Sequence, residues 1–210
     1  MIHAYDKTYL SKAQVNLGSM LDFAVYDLKE MLSGFYKKFL LSEISARFER
    51  GESSVIAGKS GVELALEIAG DFSLAKKYRP VANKSPEYWT GWALAYFQWQ
   101  TNLTFKKIDS LIPIEEILGM YSPYHEMDIS HFCGKMAELY NSRKQSTNLK
   151  LQRQTAGFSQ KELSEISGVP LRTIQQYEQG QKNINSAKAE TVLKLAKVLE
   201  CSAEDLMEID

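Results

Sequence analysis

The chain has 210 residues, a formal net charge of −1 and 44% hydrophobic residues. This length suits one or two domains with a buried core, and the balanced charge excludes a general polycation that binds nucleic acid indiscriminately. No run of 18 apolar residues occurs, so no transmembrane helix is expected. The first residues, MIHAYDKTYL, lack the basic, then apolar, then small-residue order of a signal peptide, so none is expected. The two cysteines, Cys133 and Cys201, are far apart in the sequence, which argues against a disulfide framework and favours a cytoplasmic protein.

Residues 1–142 are predicted to form a helical domain, because apolar residues recur three or four positions apart. We expect a first helix over residues 11–31, a break at Ser33–Gly34 and further helix up to residue 50. Residues 51–60 are interpreted as a loop, and residues 61–69 as a short helix. The apolar positions of the first helix are Val15, Leu17, Met20, Leu21, Ala24, Val25, Leu28 and Met31.

The segment 71–84 is irregular and basic, and a helix is predicted directly after it, with Ser85 as its N-cap and Pro86 in its first turn. All three tryptophans lie in this helix, on more than one of its faces. A helix that is apolar nearly all round is usually buried, so we interpret it as the centre of the domain. The alternative is an aromatic ligand pocket or a subunit interface.

Short helices are expected between residues 105 and 140, followed by a polar linker over residues 141–148. Three stretches of this first domain, KSGVELALEI, SPEYWTGWALAYFQWQT and YHEMDISHF, resemble uncharacterised bacterial regulators that are often found beside toxin-like genes. Residues 1–142 are expected to dimerise, to sense a small-molecule effector or to bind a partner protein.

The segment 152–180 has the pattern of two helices joined by a tight turn. Ser159 and Glu162 are spaced as a capping box, Gly168 interrupts the pattern, and Gly180 follows the second helix. Leu163 and Ile166 are expected to share an apolar face of the first helix. The segment resembles the lambda-repressor-like (Xre/Cro-type) helix-turn-helix family, through residues Arg153, Gly157, Phe158, Ser159, Gln160, Glu162, Leu163, Ser164, Gly168, Val169, Ile174, Glu178 and Gly180.

This resemblance implies that the helix 170–179 reads DNA in the major groove, where arginine can bind guanine and glutamine can bind adenine. It implies base contacts from Leu171, Arg172 and Gln176, a phosphate contact from Gln160, and backbone contacts from the loop after the helix. Arg153 and Glu178 are expected to form an internal ion pair. The full set expected at the DNA is Ser159, Gln160, Leu171, Arg172, Thr173, Gln175, Gln176, Lys182 and Asn183.

The charge distribution supports one DNA-binding surface. Residues 148–199 contain eight basic and four acidic residues, a balance of +4, whereas residues 200–210 add five acidic residues. A modestly basic surface with an acidic end suits a domain that binds DNA through a single face.

No other motif in the sequence predicts chemistry. His125, Glu126, Asp128 and His131 match no zinc signature, and residues 58–61 lack the first glycine of a phosphate-binding loop. There is no serine–histidine–aspartate arrangement. We therefore expect no enzyme activity, no catalytic residue, no metal and no cofactor.

Together these patterns predict an all-α protein, with a helical domain over residues 1–142 and a five-helix lambda-repressor-like domain over residues 149–210. The predicted function is a sequence-specific transcriptional regulator, a homodimer that binds a palindromic operator in double-stranded DNA. The alternative is an antitoxin, in which residues 1–142 bind a toxin and the second domain autoregulates. No membrane contact is expected.

Overall fold

The computed structural model of the chain describes residues 3–72 and 84–208. These residues form helices and turns and contain no strand, which confirms the all-α class. The chain divides into two compact units, residues 1–140 (unit 1) and 141–210 (unit 2). Most of the segment predicted to be irregular, residues 73–83, lies outside the described residues. No described helix combines the length and the apolar content that crossing a bilayer requires.

Unit 1 consists of helices that pack around two long ones, α1 and α6. Its helices are α1 (Leu10–Tyr26), α2 (Leu32–Leu41), α3 (Glu43–Glu49), α4 (Ser53–Ile56), α5 (Gly61–Ala69), α6 (Pro86–Thr101), α7 (Phe105–Asp109), α8 (Ile114–Gly119), α9 (Tyr121–Tyr124) and α10 (Ile129–Arg143). A short 3₁₀ turn, Lys7–Tyr9, precedes α1.

Helices α1 and α6 pack so closely that a side chain would not fit between them. A Cβ atom at Gly91 of α6 would lie 2.5 Å from the carbonyl oxygen of Leu17, and one at Gly18 of α1 would lie 2.8 Å from that of Tyr88. Residues on several faces of α6 are buried, among them Ala93, Leu94, Ala95 and Phe97. This confirms the interpretation of α6 as the central helix.

The structure corrects three predictions about unit 1. Helix α1 ends at Tyr26, and Ser33 and Gly34 lie inside α2 rather than at a break. The predicted loop 51–60 contains the helical turn α4, which buries Val55 and Ile56. Val15 is exposed, while its neighbour Asn16 is buried. The side-chain amide of Asn16 donates to the carbonyl oxygens of Ile56 and Lys59, both at 2.8 Å, so hydrogen bonding selects the polar residue.

Unit 2 contains α11 (Asn148–Thr155), α12 (Gln160–Ser167), α13 (Leu171–Glu178) and α14 (Ala189–Val198), with 3₁₀ turns at Ile184–Ser186 and Glu204–Leu206. The second 3₁₀ turn occupies the place of the fifth helix. One apolar core joins all of these elements. Its buried members are Leu149, Leu163, Val169, Ile174, Ile184, Val192, Leu195, Ala196, Leu199 and Leu206.

The prediction that Ile166 shares the core face with Leu163 is wrong, because Ile166 is 60% exposed. The buried position on α12 is Ser167, four residues after Leu163, and its hydroxyl donates to the carbonyl oxygen of Leu163 at 2.5 Å. The predicted linker is also shorter than expected, since α10 continues to Arg143 and α11 begins at Asn148.

Candidate nucleic-acid interface

Helix α12 begins with a complete capping box. The hydroxyl of Ser159 accepts from the backbone N–H of Glu162 at 3.1 Å, and the N–H of Ser159 donates to the Glu162 carboxylate at 2.7 Å. The backbone bond from Ser159 lowers the pKa of Glu162. The N–H groups of Gln160 and Lys161 lie in the first turn, where a helix has no carbonyl partner for them. They are therefore able to donate to an anion.

The turn between α12 and α13 is fixed by local hydrogen bonds. Gly168 has φ +69°, in the left-handed region that favours glycine, and ends α12. The hydroxyl of Ser164 donates to the carbonyl oxygen of Val169 at 2.7 Å, and the N–H of Val169 donates to the Ser167 hydroxyl at 3.2 Å. With Val169 buried in the core, these bonds determine where α13 starts.

Helix α13 buries one side and leaves the other accessible. Ile174 and Glu178 face the interior. Of the α13 residues expected at the DNA, Arg172 is exposed, and Leu171, Thr173, Gln175 and Gln176 are half-buried. Within the described part of the chain, the Arg172 guanidinium forms no ion pair. Arg172 and Gln176, four residues apart, therefore share the accessible side of α13, whereas Leu171, seven residues before Glu178, lies next to the buried side.

Arg153 of α11 and Glu178 at the end of α13 form a bidentate ion pair. Arg153 donates to Glu178 through Nε at 2.6 Å and through Nη2 at 2.9 Å, and its Nη1 donates to the carbonyl oxygen of Phe158 at 2.7 Å. The Glu178 side chain is 1% exposed. The bond to Glu178 raises the pKa of Arg153. The pair therefore links α11 to α13 beneath the accessible face.

Gln160 is a second partner of the same carboxylate. Its side-chain Nε2 donates to Oε2 of Glu178 at 2.8 Å. An amide nitrogen has two hydrogens, so one remains for another acceptor. Glu178 consequently orients the glutamine at the start of α12, a contact that the sequence analysis missed because the two residues lie 18 positions apart.

The loop after α13 contains Lys182 and Asn183, both exposed. The Asn183 side-chain oxygen accepts from the N–H of Asn185 at 2.9 Å and caps the 3₁₀ turn Ile184–Ser186. This oxygen is therefore used within the loop, whereas the Lys182 ammonium forms no ion pair among the described residues.

Several cations of unit 2 are compensated locally. Lys161 pairs with Glu165 at 3.7 Å and Lys194 with Glu190 at 2.6 Å, in addition to the Arg153 pair. Of the cations counted between residues 148 and 199, those without an ion pair to a described residue are Lys150, Arg172, Lys182, Lys188 and Lys197. Two of these five cations therefore lie in the candidate interface, Arg172 on α13 and Lys182 in the loop after it.

Comparison with known families assigns this arrangement. A family model described as Helix-turn-helix matches residues 149–206. Unit 2 contains a lambda-repressor-like helix-turn-helix domain. Such domains are those of DNA-binding regulators, and α12 and α13 are the two helices of the motif. No curated protein and no solved structure matched the chain.

Unit 1 offers a separate cavity, of about 450 Å³, near the end of α6. It is lined by Ala4, Ala46, Glu49, Arg50, Gln98, Asn102, Leu103 and Thr104. Neither Trp89 nor Trp92 is among these residues. Trp89 instead packs edge-on against Phe132, with ring centroids 5.2 Å apart. The aromatic pocket considered from the sequence is therefore not this cavity.

The described residues contain no group of histidine, cysteine and carboxylate side chains that is arranged to hold a metal ion. His125 stacks on Tyr121, with ring centroids 4.0 Å apart, and Asp128 accepts from the N–H of Ser130 at the start of α10. Cys133 is buried, and burial raises the pKa of its thiol to about 12. The contacts of these three side chains are those of packing and helix capping.

Proposed function

We propose that the protein is a sequence-specific transcriptional regulator that binds a palindromic operator as a homodimer. The observation that carries this proposal is the accessible side of α13, where Arg172, which forms no ion pair with a described residue, lies beside two glutamines. The Arg153–Glu178 pair fixes this helix. Arginine and glutamine are the side chains that read guanine and adenine through paired hydrogen bonds.

Base reading is assigned to the first turns of α13. Arg172 and Gln176 are four residues apart and share one face of the helix, so both reach the floor of the same groove. Leu171, half-buried at the start of the helix, is assigned to a thymine methyl group. Gln175 and Thr173 lie at the sides of this face and are assigned to neighbouring bases or phosphates.

Phosphate contacts are assigned to two places that flank α13. One is the start of α12, where the Gln160 side chain and the first N–H groups present donors to an anion and Ser159, whose own donors bond to Glu162, caps the turn. The other is the loop that carries Lys182 and Asn183. The Glu162 carboxylate of the capping box lies beside the start of α12. Its negative charge opposes the attraction that the helix dipole and the free N–H groups exert on a phosphate there.

Dimer formation is assigned to unit 1. A domain with one recognition helix contacts few base pairs, and two copies related by symmetry read two half-sites. Unit 1 presents exposed apolar side chains at both ends of α2, Met31 at 79% and Leu41 at 82% exposure. These are the side chains we assign to the contact between copies.

Selection of bound duplexes from a random library tests the proposal. We expect an inverted repeat whose half-sites are about 10 base pairs apart, one turn of DNA. Enrichment of a single half-site would contradict the dimer, and no enrichment would contradict sequence-specific binding. The antitoxin alternative requires, in addition, a partner protein that co-purifies in a fixed ratio with the untagged chain.

A further inference from the structure

Three segments of unit 2 that are distant in sequence meet at Glu208. The carboxylate of Glu208 accepts from the Lys144 ammonium at 2.9 Å and from the backbone N–H of Asn148 at 2.7 Å. The Asn148 side chain in turn donates to the carbonyl oxygen of Met207. Lys144 and Glu208 are mostly shielded from solvent, with side-chain exposures of 9% and 18%. Met207 and Glu208 are thus held against the start of α11.

The third segment is the loop after the recognition helix. Asn185 donates from its side-chain nitrogen to the carbonyl oxygen of Glu208 at 2.8 Å, and its side-chain oxygen accepts from the N–H of Glu208, also at 2.8 Å. The Asn185 amide therefore satisfies both the backbone N–H and the backbone carbonyl oxygen of Glu208. The backbone N–H of Asn185 also donates to the side-chain oxygen of Asn183. Fixing Asn185 therefore also restrains Asn183, the residue that directly follows Lys182.

We infer that Asn185 and Glu208 are positioning residues for the DNA-backbone contact of this loop, and that the acidic end of the chain contributes to DNA binding although its charge opposes it. The inference rests on the proposed function. Without the anchor, the loop loses two hydrogen bonds that cross to another segment, and ordering the loop on binding costs more than the single Lys182 contact returns, so that this contact is lost. That ordering costs conformational entropy, which weakens affinity.

Two pairs of variants of the full chain separate positioning from charge. Asn185→Ala removes both bonds to Glu208, and Gln181→Ala is its control, because the Gln181 amide donates only to Gln179 on the surface. Glu208→Ala removes the carboxylate, and Glu204→Ala is its control, because Glu204 carries the same charge in the same tail and is exposed. Binding to the selected operator and to scrambled DNA is measured across a salt series, at a temperature where circular dichroism matches the wild type.

We expect Asn185→Ala to weaken both DNAs by the same factor and to lower the slope of log affinity against log salt by about one, as loss of one phosphate contact does. The double variant with Lys182→Ala should bind no more weakly than Lys182→Ala alone, since both remove the same contact. Glu208→Ala should bind more weakly than wild type. Glu204→Ala should bind as well or better, because removing an acidic charge favours DNA.

Wild-type affinity and slope in Asn185→Ala, or tighter binding by Glu208→Ala equal to that of Glu204→Ala, would overturn the inference and leave the proposed function intact. A wild-type chain that bound no DNA would overturn the proposed function and this inference with it. Should Asn185→Ala fail to fold, the opposite signs expected for Glu208→Ala and Glu204→Ala decide the matter.

Discussion

The carboxylate of Glu178 lies almost completely out of solvent, and a single cation, Arg153, neutralises it. A buried charge whose partner is removed loses its compensation and cannot regain the water it lost on folding. Arg153 also donates to the carbonyl oxygen of Phe158, just before α12. One side chain therefore connects α11, the start of α12 and the end of α13.

We predict that Arg153→Ala destabilises unit 2 by about 3–5 kcal/mol, because it leaves the Glu178 carboxylate unpaired. Thermal or denaturant unfolding followed by circular dichroism measures the change. Lys150→Ala is the matched control, since Lys150 lies on the same helix and forms no ion pair with a described residue. An Arg153→Ala protein that melts like wild type but no longer binds DNA would show that Arg153 contacts phosphate instead.

At the scale of the element, the start of α12 gives a pH-dependent prediction. The bonds from Ser159 lower the pKa of Glu162 below its ordinary value of 4.5. A lowered pKa in the folded state means that the ionised carboxylate stabilises the fold above the unfolded pKa. That stability is lost as the pH falls through the folded pKa.

Glu162→Gln should therefore be less stable than wild type at neutral pH, and the difference should vanish in acid, below the folded pKa of Glu162. Unfolding curves at a series of pH values measure this. Glu165→Gln serves as the control, because Glu165 makes only an exposed contact with Lys161 on the same helix. A difference between wild type and Glu162→Gln that does not change with pH would refute the assigned role of the carboxylate.

Elements whose causes are local could be predicted from the sequence. The capping box of Ser159 and the breaks at Gly168 and Gly180 are confirmed, because side chain and backbone interact there within a few residues. Val15 and Ile166, which the spacing assigns to apolar helix faces, are exposed instead. Periodicity ranks residues by hydrophobicity, whereas the buried positions are held by Asn16 and Ser167, whose polar groups have hydrogen-bond partners inside.

For the candidate site, the residue types on α13 follow from the family pattern, but their support does not. The bond between Gln160 and Glu178 and the anchoring of Asn185 by Glu208 join residues 18 and 23 positions apart. Such contacts depend on how the helices pack, and no local pattern encodes them. The acidic tail was interpreted only through its charge, and its hydrogen bonds are visible only in three dimensions.

For the whole molecule, the position of the tryptophans separates the signals of the two units. All three tryptophans are in α6, so tryptophan fluorescence reports on unit 1. Circular dichroism reports on the helices of both. Comparing the two signals during unfolding assigns a change in stability to one unit or the other, which the experiments on Arg153 and Glu162 require.

The proposed dimer can be tested by measuring the molecular mass in solution. Full-length chain at tens of micromolar should scatter light as a dimer, in the range where specific interfaces hold. Leu41→Glu should weaken the dimer, because it places a charge in an apolar contact. Leu193→Glu should leave it intact, since Leu193 is also exposed but lies on α14 in unit 2. A monomeric wild type, or equal loss of the dimer in both variants, would contradict an interface built by unit 1.

The central claim is that α13 reads bases, and Arg172 and Lys182 distinguish this from general attraction to DNA. Arg172→Ala should lose roughly 1–3 kcal/mol on the selected operator and relax discrimination at one base pair. Lys182→Ala should weaken operator and scrambled DNA equally and lower the salt slope by about one. Measuring both variants on both DNAs across a salt series tests the claim most directly. The account predicts that only Arg172→Ala reduces the ratio of operator to scrambled affinity, and an equal loss on both DNAs from Arg172→Ala would contradict it.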